Sequence, residues 1–422
     1  MGAQIKGLLT MKFDRYYISA EIKQNLRRLE FNRPTDIQFK AIPSILEGED
    51  VLAVAQTGTG KTAAFAIPVI DKIHRYKSSK RAYGIKCIVM APTRELAVQI
   101  GEVFKSIAKH TRVKVFTLHG GVEQDRQIAK LQDGIDVLIA TPGRMFDLIN
   151  QQVIRLESVS TLVLDEADHM LDLGFIEDIK YIKKMLRGKH QTLFFSATIN
   201  DEIKKLAYSQ VTSAAIRIQV SPKDRISKNV SHAVMFVEME DKRFFLQRFL
   251  QDHSEAKVIV FVRTRVRADR VVRAMERVGI ETVSIHGDKD QSERAVVMQA
   301  FRDGVQRVLI ATDVSARGID VPDIEYVINY DLPEKVENYV HRVGRTGRGV
   351  NKGEAISFCS SEEQPLLEAV QSFISKPVEV MDVDRNTYAS ITSASQSLET
   401  LVAEHEAWLS GAGKKSKKRK KK

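Results

Sequence analysis

The string Ala55-Gln56-Thr57-Gly58-Thr59-Gly60-Lys61-Thr62 has the residue types needed to hold a polyphosphate. Gly58 and Gly60 let the backbone curl until its N–H groups face phosphate oxygens; Lys61 adds a cation near the β/γ position, and Thr62 offers a hydroxyl to Mg²⁺. The first position is Ala55, where the strict P-loop pattern has Gly. A second cluster, Asp165-Glu166-Ala167-Asp168, follows the apolar run TLVL. Asp165 is suited to hold Mg²⁺, directly or through water, and Glu166 to orient and deprotonate an attacking water. Alone, the same acids read equally well as a helix start stabilised by the helix dipole; a P-loop earlier in the chain favours the catalytic reading. The third cluster is His341-Arg342-Val343-Gly344-Arg345-Thr346-Gly347-Arg348, in a half of the chain that has no P-loop. Guanidinium groups recognise phosphate oxygens in a planar, bidentate way. Arg345 and Arg348 would neutralise charge developing on a γ-phosphate, a contribution of ~10³–10⁵ in rate for an arginine finger. The plain alternative is a solvated basic loop.

Short apolar runs alternating with amphipathic stretches must position these groups, the pattern of an α/β fold with parallel sheets. The first half holds runs at 50–55, 87–92, 115–120, 137–142, 161–166 and 192–198, and the second at 258–264, 283–287, 308–313, 326–333 and 355–360. Polar and glycine-containing clusters follow the carboxyl ends of these runs, the edge where open parallel sheets bind ligands. The stretch 218–230 breaks the pattern with Ser, Pro and mixed charge and reads as a linker. This divides the chain into a first domain over 1–217, a second over 231–378, and an extension over 379–422. Strands are expected to stop near residue 379, and a short helix bearing Leu398, Leu401, Val402, Trp408 and Leu409 to follow and pack on the second domain.

The chain has 422 residues, too many for one core, and a net charge of +11. Eight of its 65 basic residues lie in 414–422, KKSKKRKKK, so the remainder is nearly balanced at 57 basic against 54 acidic. Such a run repels itself and reads as a disordered tail, either a solvated solubility device or a salt-sensitive tether to RNA. No apolar run reaches the ~18 residues of a membrane span, and no secretory signal is evident. Cys87 and Cys359 lie in strand-like runs and read as buried reduced thiols, which places the protein in the cytoplasm.

From about Phe13 to Ser360 the chain resembles the DEAD-box RNA helicases. Phe31-Asn-Arg-Pro34-Thr35-Asp36-Ile37-Gln38 is similar to their Q motif, and Phe13 to their upstream aromatic. Pro92 through Ala97, Gly120-Gly121, Thr141-Pro142-Gly143-Arg144 and Ser196-Ala197-Thr198 follow in the family's order. So do Phe261-Val262-Arg263-Thr264, His286-Gly287-Asp288 through Arg294, and Ala311-Thr312-Asp313 through Asp320. No single string is specific, but the fixed order is. The departures are Glu30 where the family has Gly, Asp36 where Pro is common, and His169 where Arg often follows the four acidic-box residues; His169 reads as subfamily variation and not as a catalytic histidine.

The resemblance implies two tandem RecA-like domains and an RNA-stimulated ATPase that uses ATP and Mg²⁺ to unwind or remodel short RNA duplexes. It implies nucleotide contacts from Phe13, Gln38, Gln56, Thr57, Gly58, Thr59, Gly60, Lys61, Thr62, Gly318 and Asp320. Thr62 and Asp165 would hold the metal, Lys61, Asp165, Glu166, Arg345 and Arg348 would act in hydrolysis, and Ser196 and Thr198 would couple it to strand separation. RNA backbone contacts are implied for Thr93, Arg94, Gly121, Thr141, Arg144, Arg263, Thr264, Gly287, Arg294 and Thr312, with the 2′-hydroxyl favouring RNA over DNA. An ATP-gated RNA clamp without productive unwinding uses the same residues and is the chief alternative. A DNA translocase and a small-molecule kinase are further rivals. The motifs read backbone and not bases, so ribonucleoprotein and ribosome-assembly partners, mRNA decay and cold adaptation all stay open. The short architecture is most similar to the bacterial RhlE-like group.

Overall fold

The runs Cys87–Met90, Val137–Ala140 and Thr161–Leu164 are buried along their whole length, as strands are when helices cover both faces of a sheet. Their side chains alternate between two cores: Cys87, Val89, Val137, Ile139 and Val163 join one, and Ile88, Met90, Leu138, Ala140, Leu162 and Leu164 the other. That is the period-2 alternation of a pleated strand. The computed structural model describes residues 12–56, 58–77, 84–220, 226, 229–289, 291–316, 321, 323–347 and 351–393. It falls into two units, Met1–Lys223 and Asp224–Lys422.

The first unit is built on a seven-stranded parallel sheet in the order β3-β4-β2-β5-β6-β1-β7. The strands are β1 Val51–Ala55, β2 Cys87–Met90, β3 Val115–Leu118, β4 Val137–Ala140, β5 Thr161–Leu164, β6 Gln191–Ser196 and β7 Ile216–Val220. The second unit repeats the plan in the order β10-β11-β9-β12-β13-β8-β14. Here β8 is Val230–Phe236, β9 Val258–Phe261, β10 Val283–Ile285, β11 Val308–Ala311, β12 Tyr326–Asn329, β13 Gly353–Cys359 and β14 Glu379–Val380. Its central strands alternate in the same way, Ile259, Phe261, Leu309 and Ala311 facing one core and Val258, Val260, Val308 and Ile310 the other. Every apolar run singled out in the sequence is a strand, and the expected pair of parallel-sheet α/β domains is what the chain forms.

Two boundaries differ from the sequence reading. The stretch 218–230 overlaps structure at both ends: Ile218–Val220 complete β7, paired with β1, and Val230 opens β8. β7 is an edge strand in which only Ile218 is fully buried, so its polar residues look like linker. The last strand ends close to the expected residue 379, but it falls inside the stretch assigned to the extension. Glu379–Val380 pair with β8, and Met381 N donates to the Val234 carbonyl at 2.8 Å. Tyr388 then packs its ring 4.9 Å from Phe245 and donates its hydroxyl to Asp241 at 2.7 Å. The helix expected over Leu398–Leu409 and the tail 414–422 lie outside the described residues. Cys87 and Cys359 are free and buried. Among the described residues no helix is long and apolar enough to cross a membrane.

Candidate functional site

β1 ends at Ala55, and the helix Lys61–Tyr76 begins six residues later with Gly60 as its N-cap. Gly58 and Gly60 have φ of 78° and 86°, the left-handed region that glycine enters without strain. A Cβ on Gly60 would also lie 2.4 Å from Gln38 Nε2. Gln38 braces this loop: its Oε1 accepts from Thr35 N at 3.0 Å, and its Nε2 donates to the Gly60 carbonyl at 3.1 Å. The amide expected to read adenine thus commits one donor and one acceptor to the protein. Thr59 Oγ1 donates to the Gln56 carbonyl at 2.7 Å, and Thr62 lies half-buried in the first helical turn. Lys61 is 6 % exposed, and its Nζ has no hydrogen-bond partner among the described residues. A buried ammonium without a partner is costly, and a phosphate oxygen is the kind of group that relieves it.

The loop after β6 lies next to that one, and the loop after β5 comes next in line. Val54 of β1 pairs with Ser196 of β6, and Phe194 of β6 with Leu164 of β5, so the three strand ends are neighbours on one edge. Asp165 is 2 % exposed. Burial pushes its carboxyl up to about 6, while the Lys61 charge pulls it down and Glu166 pushes it further up. Glu166 sits at φ 49°, ψ 51°, a left-handed conformation that costs a non-glycine residue about 1–2 kcal/mol. Such strain is held where the surrounding structure fixes it, often at a reacting centre. Asp168 accepts from the Thr198 backbone N–H at 2.9 Å and from Thr198 Oγ1 at 2.8 Å. Ser196 Oγ donates to the Thr198 carbonyl at 2.8 Å. The acidic cluster and the Ser196–Thr198 turn are therefore one hydrogen-bonded assembly. The sequence reading had given Asp168 no role in it.

The RNA candidates of the first unit gather on the other half of the same edge, after β2, β3 and β4. Thr93 caps the helix Arg94–Ile107, accepting from Leu96 N at 3.3 Å. Arg94 lies against Gly120, where a Cβ would meet its Nη2 at 2.8 Å. Gly121 follows at φ 77°. Thr141 is buried at the N-terminus of the helix Pro142–Asn150. Arg144 Nη1 donates to Gln127 at 2.6 Å and to the Val122 carbonyl at 3.2 Å, and Gln127 Nε2 donates to the His119 carbonyl at 3.0 Å. Gln127, 4 % exposed, is a bridging residue that the motifs did not single out.

In the second unit the candidates follow β9, β10 and β11, the matching three-strand block. Arg263 donates its backbone N–H to Asp331 at 2.9 Å and Nη2 to Glu363 at 3.1 Å. Thr264 caps the helix Arg265–Arg277. Thr312 is 7 % exposed, with its hydroxyl 3.0 Å from that of Ser315. A Cβ on Gly287 would meet nothing within 4 Å, and Arg294 lies in the helix Gln291–Arg302. Beneath Arg263 lies Lys242, 0 % exposed, bound to the carbonyls of Tyr330 at 2.8 Å and Phe358 at 3.1 Å and ion-paired with Glu363. Arg342 is 2 % exposed and grips Asp313 at 2.5 and 2.8 Å. Arg345, expected at a phosphate, is 5 % exposed with Nε on the His341 carbonyl at 3.0 Å. Phe13, expected beside the base, is 4 % exposed and packs 6.0 Å from Tyr16 in the core. Thr57, Gly318, Asp320 and Arg348 lie outside the described residues.

The residues fit a magnesium nucleotide. Desolvation disfavours the charged form of the buried Asp165 carboxyl, the Lys61 charge favours it, and a divalent cation would favour it further. Mg²⁺ takes one or two carboxylate or hydroxyl ligands and fills the rest with water and phosphate.

The sequence over 35–206 matches the DEAD/DEAH box helicase model and over 241–350 the helicase conserved C-terminal domain. The CshA DEAD-box ATP-dependent RNA helicase of Bacillus cereus is 39% identical over 389 residues, covering 92% of this chain and 72% of that protein. The Bacillus subtilis CshA is 39% identical over 373 residues, covering 88% and 74%. The expected RhlE-like grouping finds no support in these relatives. Among solved structures, Saccharomyces cerevisiae Dbp5 bound to RNA and ADP-BeF3 superposes with a TM-score of 0.80 at 30% identity, covering 92% of this chain and 99% of that one. Mss116 bound to single-stranded RNA and AMP-PNP gives 0.81 at 27% identity, covering 91% and 82%. With the phosphate loop, the acidic box and the Ser-Ala-Thr turn on one sheet edge and the arginine motif at the end of the helix Val336–Val343 in the second unit, the chain belongs to the DEAD-box ATP-dependent RNA helicases.

Proposed function

We propose that the residues on the two sheet edges carry out ATP hydrolysis coupled to local unwinding of short RNA duplexes, in the roles that follow. The observation that carries this reading is Lys61, whose Nζ is buried without a partner among the described residues and acts on Asp165. Lys61 and the backbone of Gly58–Gly60 bind the β/γ-phosphates. Thr62 and Asp165 hold Mg²⁺, which when bound offsets phosphate charge. Glu166 orients the attacking water and accepts its proton. Asp168, through its two bonds to Thr198, passes the change at the acidic box to the Ser196–Thr198 turn. Thr93, Arg94, Gly121, Thr141 and Arg144 hold RNA backbone on the first unit, and Arg263, Thr264, Gly287, Arg294 and Thr312 on the second. Arg345 and Arg348 stabilise the transferring phosphoryl group. RNA and nucleotide bound to Dbp5 and to Mss116 support these assignments. The two buried free thiols support a cytoplasmic setting.

Glu166 and the arginines belong to different units, so full turnover requires both units and the RNA that engages both. Steady-state ATP hydrolysis measured without nucleic acid, with single-stranded RNA and with matched DNA tests this. Stimulation by RNA and not by DNA is expected. Equal rates in all three would overturn the coupling.

A further inference from the structure

His169 is 2 % exposed, and neither of its ring nitrogens has a hydrogen-bond partner among the described residues. Buried polar side-chain atoms are nearly always bonded, so an imidazole buried with both nitrogens idle needs an explanation. It sits one helical turn after Glu166, with Nδ1 3.6 Å from Glu166 Oε2. That distance is a few tenths of an ångström beyond a hydrogen bond. The His169 backbone is fixed, since its N–H donates to Asp168 at 3.2 Å. Asp168 is in turn bound to Thr198. The imidazole ring, turning about its own side-chain bonds, is the part left to close the gap.

We infer that His169 is a positioning residue for the hydrolytic step: with a proton on Nδ1, it donates to Glu166 Oε2 and holds the carboxylate so that the other oxygen faces the water. The Glu166 backbone is itself held in a strained left-handed conformation. A carboxylate with one oxygen tied has a defined direction for accepting a proton; an untied one samples several. His169 takes no proton from the water in this role. The inference rests on Glu166 being the base.

The test uses the full chain with saturating ATP and RNA and four variants: His169→Leu, His169→Asn, Glu166→Gln, and His169→Leu combined with Glu166→Gln. Leu keeps the volume without the donor, and Asn places an amide N–H close to the Nδ1 position. His169→Leu should lower kcat about tenfold or more, within the ~10²-fold cost of misplacing a catalytic group, with KM for ATP unchanged. His169→Asn should restore most of the rate. In the Glu166→Gln background, the Leu substitution should cost nothing further, because the group it positions is already disabled. Wild-type turnover by His169→Leu, or an equal loss from it in both backgrounds, overturns the inference. So does an Asn variant no better than Leu. Wild-type turnover by Glu166→Gln instead overturns the reading of Glu166 on which it rests.

Discussion

Glu166 holds a conformation that most residues avoid, directly after a carboxyl that burial has pushed up to about 6. Those two facts, with the buried Lys61, separate binding from chemistry within one strand-end cluster. In the proposed roles, Lys61 and Asp165 answer to the charge of nucleotide and metal, while Glu166 answers to the proton of the attacking water. Glu166→Gln keeps the shape and removes the base. It should retain ATP and RNA affinity, measured by equilibrium binding, while kcat falls by ~10²–10⁴, the range general-base catalysis contributes. Normal turnover would rule out this role. These residues stood out in the sequence because the chemistry proposed for them requires fixed types at fixed spacing. Their partners did not. Gln38 bracing the Gly60 carbonyl and Asp168 holding Thr198 are contacts across 22 and 30 residues, and no local pattern records them.

At the level of elements, a buried ion cluster sets the second unit's candidate RNA edge. Lys242, at the start of the helix Lys242–Asp252, ties together the ends of β12 and β13 and the Glu363 carboxylate that also receives Arg263. Burial pulls its ammonium below the ordinary lysine range, and the Glu363 and Asp331 charges oppose that shift. Lys242→Met removes the buried cation and leaves Glu363 with Arg263, and Asp331 with Arg267, as their remaining cationic partners. Breaking a buried pair in this way costs about 3–5 kcal/mol. Amide exchange in β9, β12 and β13 should accelerate accordingly, and RNA affinity should fall because Arg263 loses its fixed anchor. Unchanged protection would mean that the cluster does not hold the edge. Nothing in the sequence marked Lys242, whose partners lie 88 to 121 residues away. The central strands were legible because burial on both faces demands unbroken apolar runs. β7, β8 and β14 were not: β7 and β14 are edge strands with little buried surface, and Ser231 and His232 interrupt β8.

Across the whole molecule the charge is concentrated at one end. Eight basic residues in 414–422 account for most of a net charge of +11, so the rest of the chain has little excess charge with which to attract RNA from a distance. RNA affinity gained through phosphate contacts depends on counterion release, and each contact to single-stranded RNA contributes about 0.7 to the slope of log affinity against log salt. If all eight charges engage phosphates, deleting 414–422 lowers that slope by roughly 5 to 6; partial engagement lowers it in proportion. Affinity should drop most at low salt, where the Debye length reaches ~30 Å at 0.01 M, and converge with the full chain at high salt. The rate at saturating ATP and RNA should be unchanged, because the groups proposed to act on phosphate and water lie in the two folded units. Titration of fluorescent single-stranded RNA at several salt concentrations, with full-length and truncated protein side by side, measures both quantities. An unchanged slope would assign the run to solubility. A reduced kcat at saturation would mean that the tail acts on the closed cycle and not only on capture.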